Sequence, residues 1–311
     1  MKIKKNRIVA VGSIAKDSIE TPFGKVENTV GGSSVYFSLA ASFFAPVAII
    51  GVIGDDFPDG FLKELSKRKI DVSGIEKAEG KTFLWKGKYS RDLSTAETLD
   101  TQLNVFQNFS PKIPAPLLSS KFLFLANIDP VLQMKVLNEM KKNNGCFVAG
   151  DTMNYWIENR KKALERIIPK LDALMINEAE IREFTSQHNI IKAAKSILSK
   201  GVKIVVVKKG EYGVSCFTKN GMFFLPAFPL ENAVDPTGAG DSFAGGFMGY
   251  IAKTGNFTWQ SIRKAIAYGT VMSSFTVSGF GVKRLLSLRP QELKKRYGDF
   301  VKMVHFEKIR L

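Results

Sequence analysis

The chain has 311 residues, 45% apolar and 24% charged, the balance of a globular protein with room for one large α/β domain or two smaller ones. No apolar run approaches the roughly 18 residues of a membrane span, and the apolar stretch after the basic start is too short for a signal peptide, so a cytoplasmic protein is expected. The formal net charge of +16 invites a nucleic-acid reading, but the basic residues are dispersed in pieces such as Lys67-Arg68-Lys69 and Lys294-Lys295-Arg296, as on solvated helix faces; they would at most steer nucleotides toward a cleft.

Arg7–Gly12 reads as a buried strand. Val35–Phe44 reads as a small apolar helix, Val47–Val52 as a strand and Gly60–Arg68 as a helix. After a gap, Phe122–Ala126 (strand), Val131–Lys142 (helix), Cys146–Ala149 (strand) and Arg160–Ile168 (helix) continue the alternation. Ala173–Ile176, Ala179–Phe184, Ile191–Lys200 and Lys203–Val207 then read as strand, short helix, helix and β-branched strand. Near-continuous apolar strands alternating with helices predict a doubly wound, mostly parallel sheet with helices on both faces. Two segments break the rhythm, Ser18–Thr29 and Thr82–Phe106. Both have strand-like composition without helices, which predicts a small second sheet from a hairpin arm at Thr82–Tyr89 and an extended piece at Glu97–Phe106. Pro111, Pro114 and Pro116 punctuate the return to the core. Cys146 and Cys216 lie in apolar runs without a CxxC and are expected to be buried free thiols, and the isolated His188 and His305 leave no material for a metal or triad site.

The chemistry concentrates in four places. Asp235-Pro236-Thr237-Gly238-Ala239-Gly240-Asp241 runs into the apolar stretch Ser242–Phe247. Gly238 and Gly240 let successive N–H groups converge on one point, and a helix starting near Asp241 adds its positive end there. A carboxylate in a place built for an anion suits a residue that handles a hydroxyl while the amides hold a phosphoryl group; the plain alternative is a helix cap after a Gly-rich turn. Gly245 and Gly246, inside the helix, imply close packing against another backbone. Gly31-Gly32-Ser33-Ser34 precedes the first helix and would allow a ligand near the backbone, or form an ordinary loop. Asn177-Glu178-Ala179-Glu180 follows a strand, and its acids would also suit a helix N-terminus. Val205–Lys208 leads into a turn with Gly210 and Gly213. Asp151 and Asn154 lie at another strand end, where doubly wound sheets gather ligands. There is no Gly-x-x-x-x-Gly-Lys-[Ser/Thr] P-loop, and the Gly238 run is a poor dinucleotide fingerprint.

These four runs, in order over about the whole chain, resemble the ribokinase-like (PfkB) family of sugar and nucleoside kinases; Asp235–Phe247 is the specific one. The resemblance implies a single domain over residues 1–311, with segments 18–29 and 82–106 as a lid that covers the substrate and often mediates dimers. It implies ATP and Mg²⁺, with Asp241 as base and the Gly238, Ala239 and Gly240 amides as an anion hole. Asn177, Thr237, Lys208, Gly210 and Gly213 would face ATP. Glu180 would act on Mg²⁺ through water, and Asp235 and Thr237 match part of a monovalent cation (K⁺) site. Asp17, Gly31, Gly32 and Tyr36 would face the acceptor. Many members carry Asn where this chain has Tyr36, so a simple ribokinase or fructokinase is not the expectation. A sugar-type acceptor is favoured; a nucleoside stacked on Tyr36, Trp85, Tyr89 or Phe106 is the rival, and those rings would otherwise pack the lid or a dimer interface. A non-catalytic ligand-binding member is a third reading, disfavoured because a pure binder has no use for Asp241.

Overall fold

The computed structural model describes residues 6–141 and 145–306. The chain opens with β1 (Ile8–Val11), β2 (Ala15–Thr21), β3 (Gly24–Gly31), α1 (Ser33–Ala41), β4 (Val47–Ile53), α2 (Asp59–Lys67) and β5 (Ile70–Lys77). β6 (Phe83–Tyr89), β7 (Ala96–Gln102), β8 (Phe122–Leu125), α3 (Pro130–Lys141), β9 (Phe147–Asp151), α4 (Asn154–Asn159) and α5 (Lys161–Ile167) follow. Next come β10 (Ala173–Asn177), α6 (Glu178–Thr185), α7 (Ile190–Ser199), β11 (Ile204–Lys208), β12 (Val214–Thr218) and β13 (Gly221–Leu225). The chain closes with α8 (Ala239–Thr254), α9 (Trp259–Thr276), α10 (Lys283–Ser287) and α11 (Pro290–Met303).

Nine strands form one sheet in the order β13-β12-β11-β10-β9-β8-β1-β4-β5, parallel from β11 through β5, with antiparallel β12 and β13 at one edge. The alternation of side chains along a strand divides the core into two layers. Ile8 and Ala10 join the layer of Phe37, Phe124, Phe247 and Phe275; Val9 and Val11 join that of Leu123, Leu125, Val136 and Ile197. Strands buried on both faces need continuous apolar sequence, which is why β1, β4, β8 and β11 were legible.

α8 is wedged between α1 and α9, and its glycines make that possible. A Cβ on Gly245 would lie 2.3 Å from the Phe37 carbonyl oxygen, and one on Gly246 2.8 Å from that of Tyr268. The expected backbone-to-backbone packing is therefore observed.

β2, β3, β6 and β7 form the second sheet, in the order β3-β2-β6-β7. It contains both predicted segments. The piece expected to run extended to Phe106 ends at Gln102, however, and a 3₁₀ turn takes over at Asn104–Asn108. Phe106 stacks there between Phe83 and Phe109, with ring centroids 5.3 and 5.5 Å away. Phe106 is thus consumed in packing rather than presented as a stacking surface. Cys216 is buried as expected, whereas Cys146 is half-buried, just before β9 rather than within it; neither is in a disulfide. Lys142, the expected end of α3, lies outside the described residues. No helix among the described residues is long and apolar enough to cross a membrane.

Candidate active site

The carboxyl ends of the parallel strands bring three polar residues together. Asp151, Asn177 and Lys208 are the last residues of β9, β10 and β11, and Asn177 pairs in register with Lys208. Lys208 Nζ donates to Asp151 Oδ2 at 2.6 Å. Both are largely covered, and burial would lower the Lys208 pKa; Asp151 and Glu180 outweigh it and hold the ammonium above its ordinary value.

Asn177 begins α6 as a reciprocal cap. Its side-chain oxygen accepts from the Glu180 N–H at 2.8 Å, and Glu180 accepts from the Asn177 N–H at 2.9 Å and from its Nδ2 at 2.6 Å. The structural reading of the Asn-x-x-Glu run is thus realised, and it also holds a carboxylate 7% exposed beside Lys208. Burial pushes that carboxyl up to about 7, with Lys208 opposing and Asp151 adding.

The loop before α8 completes this side. Gly238 is the N-cap, in left-handed geometry (φ 73°). Its missing side chain is filled by Tyr36: a Cβ there would be 2.2 Å from the ring. Ala239 N–H donates to Pro236 O (3.1 Å) and Ser242 N–H starts the helix at Gly238 O (2.9 Å). Between them, the Gly240 amide meets no acceptor among the described residues. Lys208 Nζ stands 3.0 Å from where a Gly240 Cβ would be, so a cation flanks that amide. Asp241 is half-buried in the first turn of α8, and burial followed by the Asp151 charge raises its pKa to about 7, against Lys208. A convergent amide, a helix N-terminus and a lysine next to a weakly basic carboxylate can hold a phosphoryl group while a hydroxyl is deprotonated.

Asp235, 1% exposed, ties this loop to the turn beyond α9. Its two oxygens accept from the N–H groups of Thr237 and Gly281, both at 2.8 Å. Burial raises its pKa and these amides oppose the rise.

The other side is Asp17 on β2. Gly31 leaves room for it, since a Cβ there would fall 1.8 Å from Asp17 Oδ2. Burial, then the charge of Asp235, pushes Asp17 up to about 8, while the Gly32 N–H pulls down and Asp241 adds to the rise. The close approach allowed by Gly31 and Gly32 is therefore to the chain itself. Gly32 (φ 97°) lies against Ser13, which accepts from the Ser33 and Ser34 amides that open α1.

The family model for pfkB family carbohydrate kinases matches residues 5–287. The chain belongs to the PfkB family. It is a kinase, a phosphotransferase with a sugar or nucleoside acceptor. A cytidine kinase of Thermococcus kodakarensis is 31% identical over 245 residues, 78% of this chain and 87% of the relative. Two solved structures share the ribokinase fold. One, from E. coli, is described as a ribokinase II in complex with ATP and Mg²⁺; its TM-score is 0.79 at 19% identity, covering 94% of this chain and 99% of that one. The other is a Burkholderia thailandensis nucleoside kinase in complex with inosine, with a TM-score of 0.77 at 17% identity, covering 94% and 96%.

Among the remaining residues of this PfkB kinase, Gly210 (φ 56°) is open on its Cβ side, whereas Gly213 is pressed against its own chain, 2.1 Å from the Leu225 carbonyl by the same measure. Asn154 is exposed at the start of α4. Gln133 escaped sequence reading: its buried amide donates to Ala126 O (2.9 Å) and Asp151 O (3.1 Å), bracing two strand ends under the site. A lone Gln in an amphipathic helix carries no signal of that kind. The bond from Thr237 Oγ1 to the Tyr89 hydroxyl (3.1 Å), joining the anion loop to the second sheet, was also missed.

Proposed function

We propose that this PfkB kinase transfers the γ-phosphate of ATP to the primary hydroxyl of a nucleoside. The observation that carries the reaction is the start of α8, where the Gly240 amide and Lys208 flank Asp241. Ionised Asp241 takes the proton of the acceptor hydroxyl as its oxygen bonds to the γ-phosphorus and the bond to the ADP oxygen breaks. A positioned base of this kind contributes roughly 10²–10⁴-fold. The amides of Gly238 and Gly240 hold the transferring oxygens, with Lys208 drawn toward them, and alignment supplies much of the remainder. The Ala239 amide, already bonded to Pro236, shapes the loop instead.

Asn177, Thr237, Gly210 and Gly213 would line the nucleotide. No group of three or more His, Cys, Asp or Glu among the described residues would cage a metal. That suits Mg²⁺, which keeps its waters and takes phosphate oxygens, with Glu180 reaching it through water because both its oxygens already accept from Asn177. When bound, Mg²⁺ would neutralise charge on the β- and γ-phosphates. K⁺ beside Asp235 and Thr237 would order the anion loop.

Asp17 would take ribose hydroxyls, with Gly31, Gly32 and Tyr36 shaping its surroundings; a ribose ring is common to a sugar and a nucleoside acceptor. The similarity to a cytidine kinase over most of both chains moves the weight from the sugar, which the sequence alone favours, to the nucleoside. The test is ADP release with Mg-ATP and either cytidine, inosine, ribose or deoxyribose, with and without K⁺. Turnover of a nucleoside with weak or no turnover of the free sugars is expected. Turnover of ribose alone would overturn the acceptor, and ATP binding without turnover of any acceptor would overturn the kinase chemistry.

A further inference from the structure

Tyr89 is the last residue of β6, in the second sheet, yet its hydroxyl accepts from Thr237, far along the chain. Thr237 lies between the two parts of the anion loop that the structure holds by other means. On one side its N–H donates to Asp235, which also accepts from Gly281. On the other side Gly238 rests on the buried ring of Tyr36. The loop thus has a floor, from α1, and an anchor, from the turn beyond α9. Its third support comes from the cover.

The surroundings make this contact more than packing. Asp235, Asp17 and Asp241 all act electrostatically on Tyr89, so its hydroxyl feels the acceptor-side carboxylate, the anchor and the base as well as bonding Thr237. The Tyr36 hydroxyl, which the same carboxylates act on, is buried and has no hydrogen-bond partner among the described residues. β6 is paired in parallel with β2, and Trp85 of β6 stands opposite Asp17 of β2. A group that engages Asp17 therefore acts on the neighbouring strand of the one whose end holds Thr237.

We propose that Tyr89 is a positioning residue that couples acceptor binding to the anion loop: the strand pair that senses the acceptor sets, through the Tyr89–Thr237 bond, where the Gly238–Gly240 amides sit. This rests on the function proposed above. The consequence is that the amides reach their working position only when the cover is seated over an acceptor, which disfavours transfer to water.

The test is a double-mutant cycle on the full chain with Tyr89→Phe, Thr237→Val and the pair, measured as kcat and KM with Mg-ATP and cytidine. Loss of the bond should lower kcat by about 3- to 12-fold, with acceptor KM changed less. The double variant should be no worse than the worse of the two single ones. Hydrogen exchange with added cytidine supplies a readout independent of turnover. Protection should appear at residues 83–89 and 235–241 in the wild type, but only at 83–89 in Tyr89→Phe. Unchanged kcat in Tyr89→Phe, or losses that multiply in the double variant, would overturn the coupling. Turnover of ribose but not cytidine would overturn the nucleoside reading alone, and the same cycle run with ribose would still decide the role of Tyr89.

Discussion

β4 and β7 stand at opposite poles of exposure: every residue of Val47–Ile53 is buried, whereas none of Ala96–Gln102 is. They are the extremes of their sheets, since β2 beside β7's partner is mostly buried and the edge strand β13 is not. The nine-stranded sheet is covered on both faces and holds Asp151, Asn177 and Lys208 at strand ends that cannot shift without disturbing the core. The four-stranded sheet has one half-covered face and carries Phe23, Leu99 and Leu103 with their side chains exposed in or beside it. At β7, few buried contacts mean low local stability. The contrast separates the two tasks of the site. The large sheet and α8 hold the charged residues still, and under the function proposed above the small sheet would enclose the acceptor, with Asp17 and Tyr89 at the join.

The comparison breaks most sharply at Asp241. Asp241→Asn should lower kcat by roughly 10²–10⁴-fold, with ATP affinity by calorimetry unchanged; turnover near that of the wild type would remove Asp241 from the chemistry. A stability effect is expected next, from the rigid sheet. Lys208→Met leaves the Asp151 carboxylate buried without its partner, which should cost about 3 kcal/mol in urea unfolding. A small change would mean that Asp151 is solvated after all.

At the join, pH becomes the probe. Asp17 has a folded pKa of about 8 against an ordinary 3.8, so between those values the native state holds a proton that the unfolded state has released. Unfolding then releases protons, and the Asp17 contribution, fully present below pH 4, is lost as pH rises toward about 8. Asp17→Asn removes this ionisation. The variant should therefore gain stability relative to the wild type between about pH 5 and pH 8.5, as read by denaturation at both. A difference independent of pH would mean that Asp17 is ionised in the folded protein throughout. The smallest effect is expected on the cover. Leu99→Ser should change unfolding free energy by no more than about 0.5 kcal/mol. A shift in sedimentation on that substitution would show instead that a second copy is seated on the small sheet.

Much of the local geometry of the candidate site was legible because its signals are local. Gly238 and Gly240 before Asp241 encode a turn and a helix start within a few residues, and Asn177 with Glu180 encodes a reciprocal cap. The apolar runs of β1, β4, β8 and β11 announce strands buried on both faces. β5 and β13 were not announced, because Ile70–Lys77 and Gly221–Leu225 are edge strands of mixed composition. For Phe106 the sequence left stacking surface and packing both open, because nothing in its neighbourhood says that Phe83 and Phe109 will stack on it.

The sequence by itself determined the kinase family and that a doubly wound sheet with a separate small sheet would carry its motifs, since turns, caps and hydrophobic periods are properties of neighbours along the chain. Tertiary structure decided what those residues experience. The 2.6 Å pairing of Lys208 with Asp151 and the bond from Thr237 to Tyr89 join residues 57 and 148 positions apart, and burial lifts Asp17 and Asp241 above the usual carboxylate range. Desolvation and long-range contact depend on how the layers close over one another, which no local pattern encodes.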